Sequence, residues 1–236
     1  MPVHHHLNLR LGGLLLAWLF SLAGPSHAGA PLATDDAGVL DYGNCEAEIY
    51  GARLRTPGQG HDRSSSSQLS CGVAGDVQAA LAYGRQNQAG GIRNEALAIS
   101  AKKLVLVDEQ LGSFALSAGA VAVRGGGGGF RYDSVSFNGI VSRQLAPGFT
   151  GHANLGWAHS QADHNSSTTW NLALESALDQ SATLGAEVYG DDSSRPWLAV
   201  GLRFAALERL TLGASYATRA GPVRQRLTTA GATFAF

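Results

Sequence analysis

From residue 43 onward, apolar side chains recur at every second position over stretches of about ten residues, the spacing that places them on one face of a β-strand. Leu69, Cys71 and Val73 alternate with Gln68, Ser70 and Gly72, and Val77, Ala79, Leu81 and Tyr83 alternate with Gln78, Ala80, Ala82 and Gly84. The pattern continues as Leu97, Ile99 and Ala101, through the small-residue stretch 113–123, and as Val135, Phe137, Gly139 and Val141. It returns around Leu155, Leu172, Ala186, Val200 and Leu212, and ends in Ala230, Ala232, Phe234 and Phe236. These stretches predict twelve strands, and helical periodicity is almost absent.

The connections between them fall into two classes. Short joins lie at 74–76, 145–148, 179–180 and 206–209, with a somewhat longer one at 108–112. Longer polar joins alternate with them at 56–63, 86–93, 125–131, 160–167, 190–195 and 219–224. Short periplasmic turns and longer external loops are the pattern of outer-membrane barrels, and an even strand number puts both chain ends on the periplasmic side.

The face opposite the apolar one carries Glu46, Glu48, Asn138, His152, Asn154, Glu175, Glu187 and Arg203 in mid-strand positions. Such residues suit a polar lumen. A soluble barrel would instead turn a charged, lysine-rich face outward, whereas the only lysines here are Lys102 and Lys103. Because unpaired backbone groups cost several kcal/mol each in hydrocarbon, the first and last strands are expected to pair. Tyr83, Trp157, Trp170 and Tyr216 fall beside the long joins and Phe234 and Phe236 at the other end, as interfacial aromatic belts would. The expected fold is all-β: a single antiparallel transmembrane β-barrel of about twelve strands over residues 43–236. Its expected place is the outer membrane of a Gram-negative bacterium, with outer-membrane lipids as partners.

The amino terminus reads as an export signal. His4, His5, His6 and Arg10 precede the apolar run 11–20, and Ser26 and Ala28 supply small residues for cleavage after Ala28. Residues 29–42 then form either a loose periplasmic leader or a lumen plug, with Asp35 and Asp36 pairing an inward arginine such as Arg203. In an oxidising compartment Cys45 and Cys71, on consecutive strands, are expected to form a disulfide near one rim. Metal and catalytic readings of the cysteines lack a nearby ligand histidine or base.

Composition narrows the choices further. With 44% hydrophobic and 15% charged residues and a net charge of −1, neither disorder nor nucleic-acid binding is favoured. No 18-residue apolar stretch could span a bilayer as a helix. His159, Ser160, Asp163 and His164 offer a hydrolase-like grouping, yet His159 and Ser160 as strand neighbours point to opposite faces. The glycines of 125–129 lack the lysine and helix of a phosphate loop. Asp191 and Asp192, with Asp163 elsewhere, could attract calcium or bridge to lipopolysaccharide through divalent ions, but adjacent carboxylates are usually just solvated. No cofactor or metal is expected.

Two resemblances add to this reading. The terminal Thr228-Thr229-Ala230-Gly231-Ala232-Thr233-Phe234-Ala235-Phe236 resembles the signal read by the outer-membrane barrel assembly machinery, which makes that machinery an expected partner and Phe234 and Phe236 the assembly signal. Pro31-Leu32-Ala33-Thr34-Asp35-Asp36-Ala37-Gly38, Asn44-Cys45-Glu46-Ala47-Glu48, residues 68–71, Asn154-Leu155-Gly156-Trp157, Glu187-Val188-Tyr189-Gly190-Asp191-Asp192 and Pro196-Trp197 resemble outer-membrane proteins of the MetA-pathway phenol-degradation family. That resemblance implies a channel or transporter for small hydrophobic or aromatic solutes and assigns no individual site residues. Two other readings stay open: a non-conducting structural or binding barrel, and a lipid-modifying enzyme.

Overall fold

The computed structural model describes residues 31–236 apart from 127, 163, 220, 222 and 223. The export signal expected over residues 1–28 and the candidate Asp163 lie outside the described residues. Twelve strands follow one another: β1 (Cys45–Thr56), β2 (Gly60–Ala74), β3 (Val77–Asn87), β4 (Arg93–Asp108), β5 (Gly112–Gly125), β6 (Arg131–Ala146), β7 (Phe149–Ser160), β8 (Asn165–Ala177), β9 (Ala182–Asp191), β10 (Trp197–Leu207), β11 (Leu210–Arg219) and β12 (Gln225–Ala235). Each pairs antiparallel with its sequence neighbours, and β1 pairs with β12 to close the barrel. The seam is continued past the last strand by Phe236, whose N–H donates to the Cys45 carbonyl (2.9 Å) while the Cys45 N–H donates to that of Phe236 (2.8 Å).

The burial pattern is the inverse of a water-soluble core. Ile49, Leu81, Ile99, Leu155, Leu172, Leu198 and Leu202 are exposed on the outer wall, while Glu48, Lys102, His152, Asn154, Glu175 and Glu187 are buried inside. A wall of exposed leucine and isoleucine is stable only against acyl chains, so the barrel resides in the outer membrane. Tyr83, Trp157 and Tyr216 project from the outer wall near one end, and Phe234 and Phe236 near the other, stacked on each other at 6.0 Å.

The strands run further than the apolar alternation suggested. β2 begins at Gly60 and takes in Arg63 and the serines 64–67, and β8 begins at Asn165, so the joins expected at 56–63 and 160–167 are shorter than drawn. A tilted span needs only about ten residues to cross the hydrocarbon, and β4 has 16. The excess is hairpin that projects beyond the lipid, where pairing continues but apolar patterning is not needed.

Cys45 and Cys71 sit directly opposite each other in the β1–β2 register, Cα atoms 4.2 Å apart, and are bridged as expected. Both lie on the outward face, at the end of the barrel where β1 begins and β12 ends. Deleting Phe236 removes both seam hydrogen bonds and one belt aromatic. The expected outcome is a sharply lower yield of heat-modifiable barrel in the outer-membrane fraction; an undiminished yield would contradict the role of the seam.

Candidate functional site

Small residues line much of the inner wall, and they make room for the chain's own amino-terminal segment. Entering at the rim where Tyr42 bridges Gly72, residues 31–41 run up inside the barrel. At that entrance a Cβ on Gly72 would come within 2.2 Å of the Asp41 carbonyl oxygen, so only glycine admits the segment there. At mid-height Leu32, 2% exposed, packs over Gly185 and Gly201, and Pro31 packs over Gly213.

Buried backbone groups need partners, and the lumen wall supplies them as side chains. Glu187 accepts from the Ala33 N–H (2.9 Å), the Thr34 N–H and the Thr34 hydroxyl (both 2.8 Å). Asn154 pairs with Asp35 as a strand would, its Oδ1 accepting the Asp35 N–H (2.7 Å) and its Nδ2 donating to the Asp35 carbonyl (2.8 Å). Asn171 donates to the Ala33 carbonyl (3.0 Å), Ser215 to the Pro31 carbonyl (2.8 Å), and Gln78 accepts from Leu40 (3.0 Å). Lys102 Nζ bonds Asp35 Oδ1 (3.1 Å) and the Asp36 carbonyl (2.9 Å), and stands 3.9 Å from Asp36 Oδ1.

Lys102 thus takes the place suggested for Arg203. It lies on the inward parity of β4 at the height that Asp35 reaches, whereas Arg203 is already committed to Glu175 (2.6 Å). A connected row runs from the segment across the wall: the Ala37 N–H donates to Ser142 Oγ (2.8 Å), and Ser142 is hydrogen-bonded to His152 Nδ1 (2.8 Å). His152 Nε2 faces Glu175 at 3.7 Å, and Glu175 meets Arg203. Since Ser142 Oγ accepts from Ala37, its hydroxyl proton is free to go to Nδ1.

Elsewhere in the lumen Glu48 accepts from Gln68 Nε2 (3.0 Å) and Thr233 Oγ1 (3.3 Å). Glu46, one inward position nearer the rim, and Asn138 are half-buried. Of the eight inward polar residues singled out, the structure gathers Asn154 and Glu187 on the segment and His152, Glu175 and Arg203 in the adjoining row. Glu46, Glu48 and Asn138 stand apart. Sequence patterning passed over Lys102, Ser142, Asn171, Gln78 and Ser215; inward parity was the available signal, but it does not say which inward residues meet the segment.

Beyond the segment, toward the long-loop end, a cavity of about 400 Å³ opens. Tyr50, Leu54, Tyr189, Trp197, Ala199, Ala217 and Leu227 give it an apolar wall, with Pro31 and Ala33 contributing to the lining from the segment. Tyr189 and Trp197 stack with ring centroids 6.3 Å apart, and the Arg219 guanidinium lies over Trp197 at 5.1 Å while bonding Gln225. Gln86, 1% exposed, lines the same cavity, and its Oε1 has no hydrogen-bond partner among the described residues. On the outer wall, His159 pairs across strands with Ser166, Nδ1 to Oγ 3.0 Å, rather than with Ser160.

The family model described as "Uncharacterised conserved protein UCP029691" matches residues 16–236, so the chain belongs to that family; the family model that matches is not that of the MetA-pathway proteins. No curated protein matches the chain. Among solved structures, the KdgM porin aligns with 11% identity over 80% of this chain and 99% of its own, with a TM-score of 0.58. The COG4313 outer membrane channel from Pseudomonas putida F1 aligns at 12% identity over 85% and 98%, TM-score 0.56. Outer membrane phospholipase A from Escherichia coli aligns at 7% identity over 85% and 93%, TM-score 0.54. These likenesses carry the outer-membrane barrel fold.

The buried charge on Lys102 makes the docking of the segment testable. Removing one partner of a buried ion pair costs about 3–5 kcal/mol, so Lys102→Met is expected to loosen the segment. In an Ala37→Cys background, maleimide labelling of intact barrels should be slow when Lys102 is present and fast in the Lys102→Met variant; equal rates would show that the ion pair does not hold the segment.

Proposed function

We propose that this member of the family is an outer-membrane channel for small hydrophobic or aromatic solutes, with the segment 31–41 as its plug. The outer cavity carries the reading. Its volume lies within the 300–1,000 Å³ of typical small-molecule sites, and its make-up, an apolar and aromatic wall with a few convergent polar groups, is the usual one. In a lumen otherwise lined by carboxylates, amides and serines, Tyr50, Tyr189 and Trp197 together form a surface on which a flat ring can stack.

The unpartnered Gln86 oxygen would be satisfied by a hydroxyl donor on such a ring, and leaving a buried acceptor unmet costs about 1–3 kcal/mol. Arg219 would meet an anionic substituent. The fold likeness to porins and to a named outer membrane channel supports a conduit, and the resemblance of residues 31–38 to the phenol-degradation family supports the aromatic class. Onward passage requires the segment to yield, since residues 31–37 occupy the lumen at mid-height.

Proteoliposome swelling tests the proposal. Phenol and benzoate are expected to enter faster than sugars of similar size, Trp197→Ala to slow the aromatic solutes severalfold, and Gln86→Leu to slow phenol more than benzoate. Faster entry of sugars, or aromatic rates unmoved by Trp197→Ala, would overturn it. Hydrolysis of phospholipid by the purified barrel, abolished by Ser166→Ala, would establish the enzymatic reading instead.

A further inference from the structure

The outer wall carries a second feature that the solute path does not use. At the long-loop end of β12, β1 and β2, Arg226, Arg53, Arg55, His61 and Arg63 are all exposed. They share the outward parity of Ala230, Ile49 and Leu69, which turns their side chains to the outer wall, although Arg63 also borders the cavity at this end of the lumen. The register sets guanidinium groups directly opposite each other: Arg55 faces Arg226 and Arg53 faces Arg63, with His61 on the other side of Arg55. Such pairs destabilise a sheet. Among the described residues, none of Arg53, Arg55, Arg63 and Arg226 is in an ion pair.

The charge continues around the wall. Asn87 on β3 is opposite both Arg63 and Arg93, and Glu95 on β4 is opposite both Arg85 and Arg124. Arg85, Arg93 and Arg124 all pair with Glu95, three guanidinium groups to one carboxylate. Seven arginines thus span six adjacent strands with a single acid among them. Two aspartates at this end are engaged elsewhere: Asp62 accepts the Ala89 N–H, and Asp191 accepts from Ser193 and Ser194. Directly toward the membrane middle lie exposed Ile49, Leu69, Leu81, Tyr83, Leu97 and Ile99.

We infer that this band binds the phosphorylated headgroup of lipopolysaccharide in the outer leaflet. The band stands one step beyond the apolar girdle, where acyl chains give way to headgroups, and it is cationic where that lipid is anionic. Guanidinium forks match phosphate oxygens in geometry as well as charge. A bound phosphate also removes the repulsion that the register imposes on Arg53–Arg63 and Arg55–Arg226. Direct contact by arginine needs no bridging divalent ion.

The test is binding of bisphosphorylated lipid A to the purified full-length barrel in detergent, followed by native mass spectrometry. Arg53→Gln/Arg63→Gln is expected to weaken binding about tenfold or more, with heat-modifiability unchanged. Dephosphorylated lipid A should bind the natural protein and this variant equally weakly, and chelation by EDTA should leave the lipid bound. Arg53→Lys/Arg63→Lys, which keeps the charge, should retain phosphate-dependent binding. Unaltered binding by the Gln variant, loss of phosphate dependence in the Lys variant, equal binding of phosphatidylglycerol, or release by EDTA would overturn the inference. None of these readouts depends on solute transport.

Discussion

The closure of β1 on β12 is the constraint from which the rest follows. In hydrocarbon an unpaired strand edge would leave a row of backbone donors and acceptors unsatisfied at several kcal/mol each, so the sheet must meet itself. Ten paired positions and the Cys45–Phe236 exchange of hydrogen bonds make that seam. Once the cylinder is closed, strand alternation leaves one choice of side for every residue: Ile49, Leu81, Ile99 and Leu155 turn to the lipid, and Glu187, Asn154, Lys102 and the aromatic patch of Tyr50, Tyr189 and Trp197 turn to the interior.

Closure also creates an enclosed space that twelve strands of alternating small residues do not fill. The segment 31–41 enters it, and the interactions that hold it differ in kind from a protein core. Apart from the apolar contacts of Pro31, Leu32 and Ala37, the docking includes hydrogen bonds to Glu187, Asn154, Asn171, Ser142, Gln78 and Ser215 and a buried charge pair at Lys102. Each neutral hydrogen bond contributes only about 0.5–1.5 kcal/mol net because water competes for both partners. A segment held this way is ordered when docked, yet water can replace its contacts one by one if it moves, which suits a removable stopper better than a permanent filling.

Much of the fold was legible because lipid enforces alternation. Leu69, Leu81, Ile99, Leu155 and Val200 announced both the strands and their outward side, and Cys45 and Cys71 fell opposite each other because the hairpin between them is regular. The polar ends of the hairpins were not legible: Arg63 and the serines 64–67 belong to β2, but outside the hydrocarbon nothing requires an apolar face. Within the lumen, parity turned Glu187, Asn154 and Glu175 inward without naming their partners. Asp35 meets Lys102 rather than Arg203 because partner choice depends on the height to which the segment climbs, and on Glu175 having already claimed Arg203. The outer cavity was hidden for the same reason, since Tyr50, Tyr189, Trp197 and Arg219 come from four strands and are brought together only by closure.

A lumen that conducts and is stopped by its own amino-terminal segment is the center of this account, and planar-bilayer recording reads it most directly. Barrels lacking residues 31–41 should show discrete steps several times larger than those of barrels that keep the segment. Steps of the same size with and without the segment, or none from either protein, would contradict it.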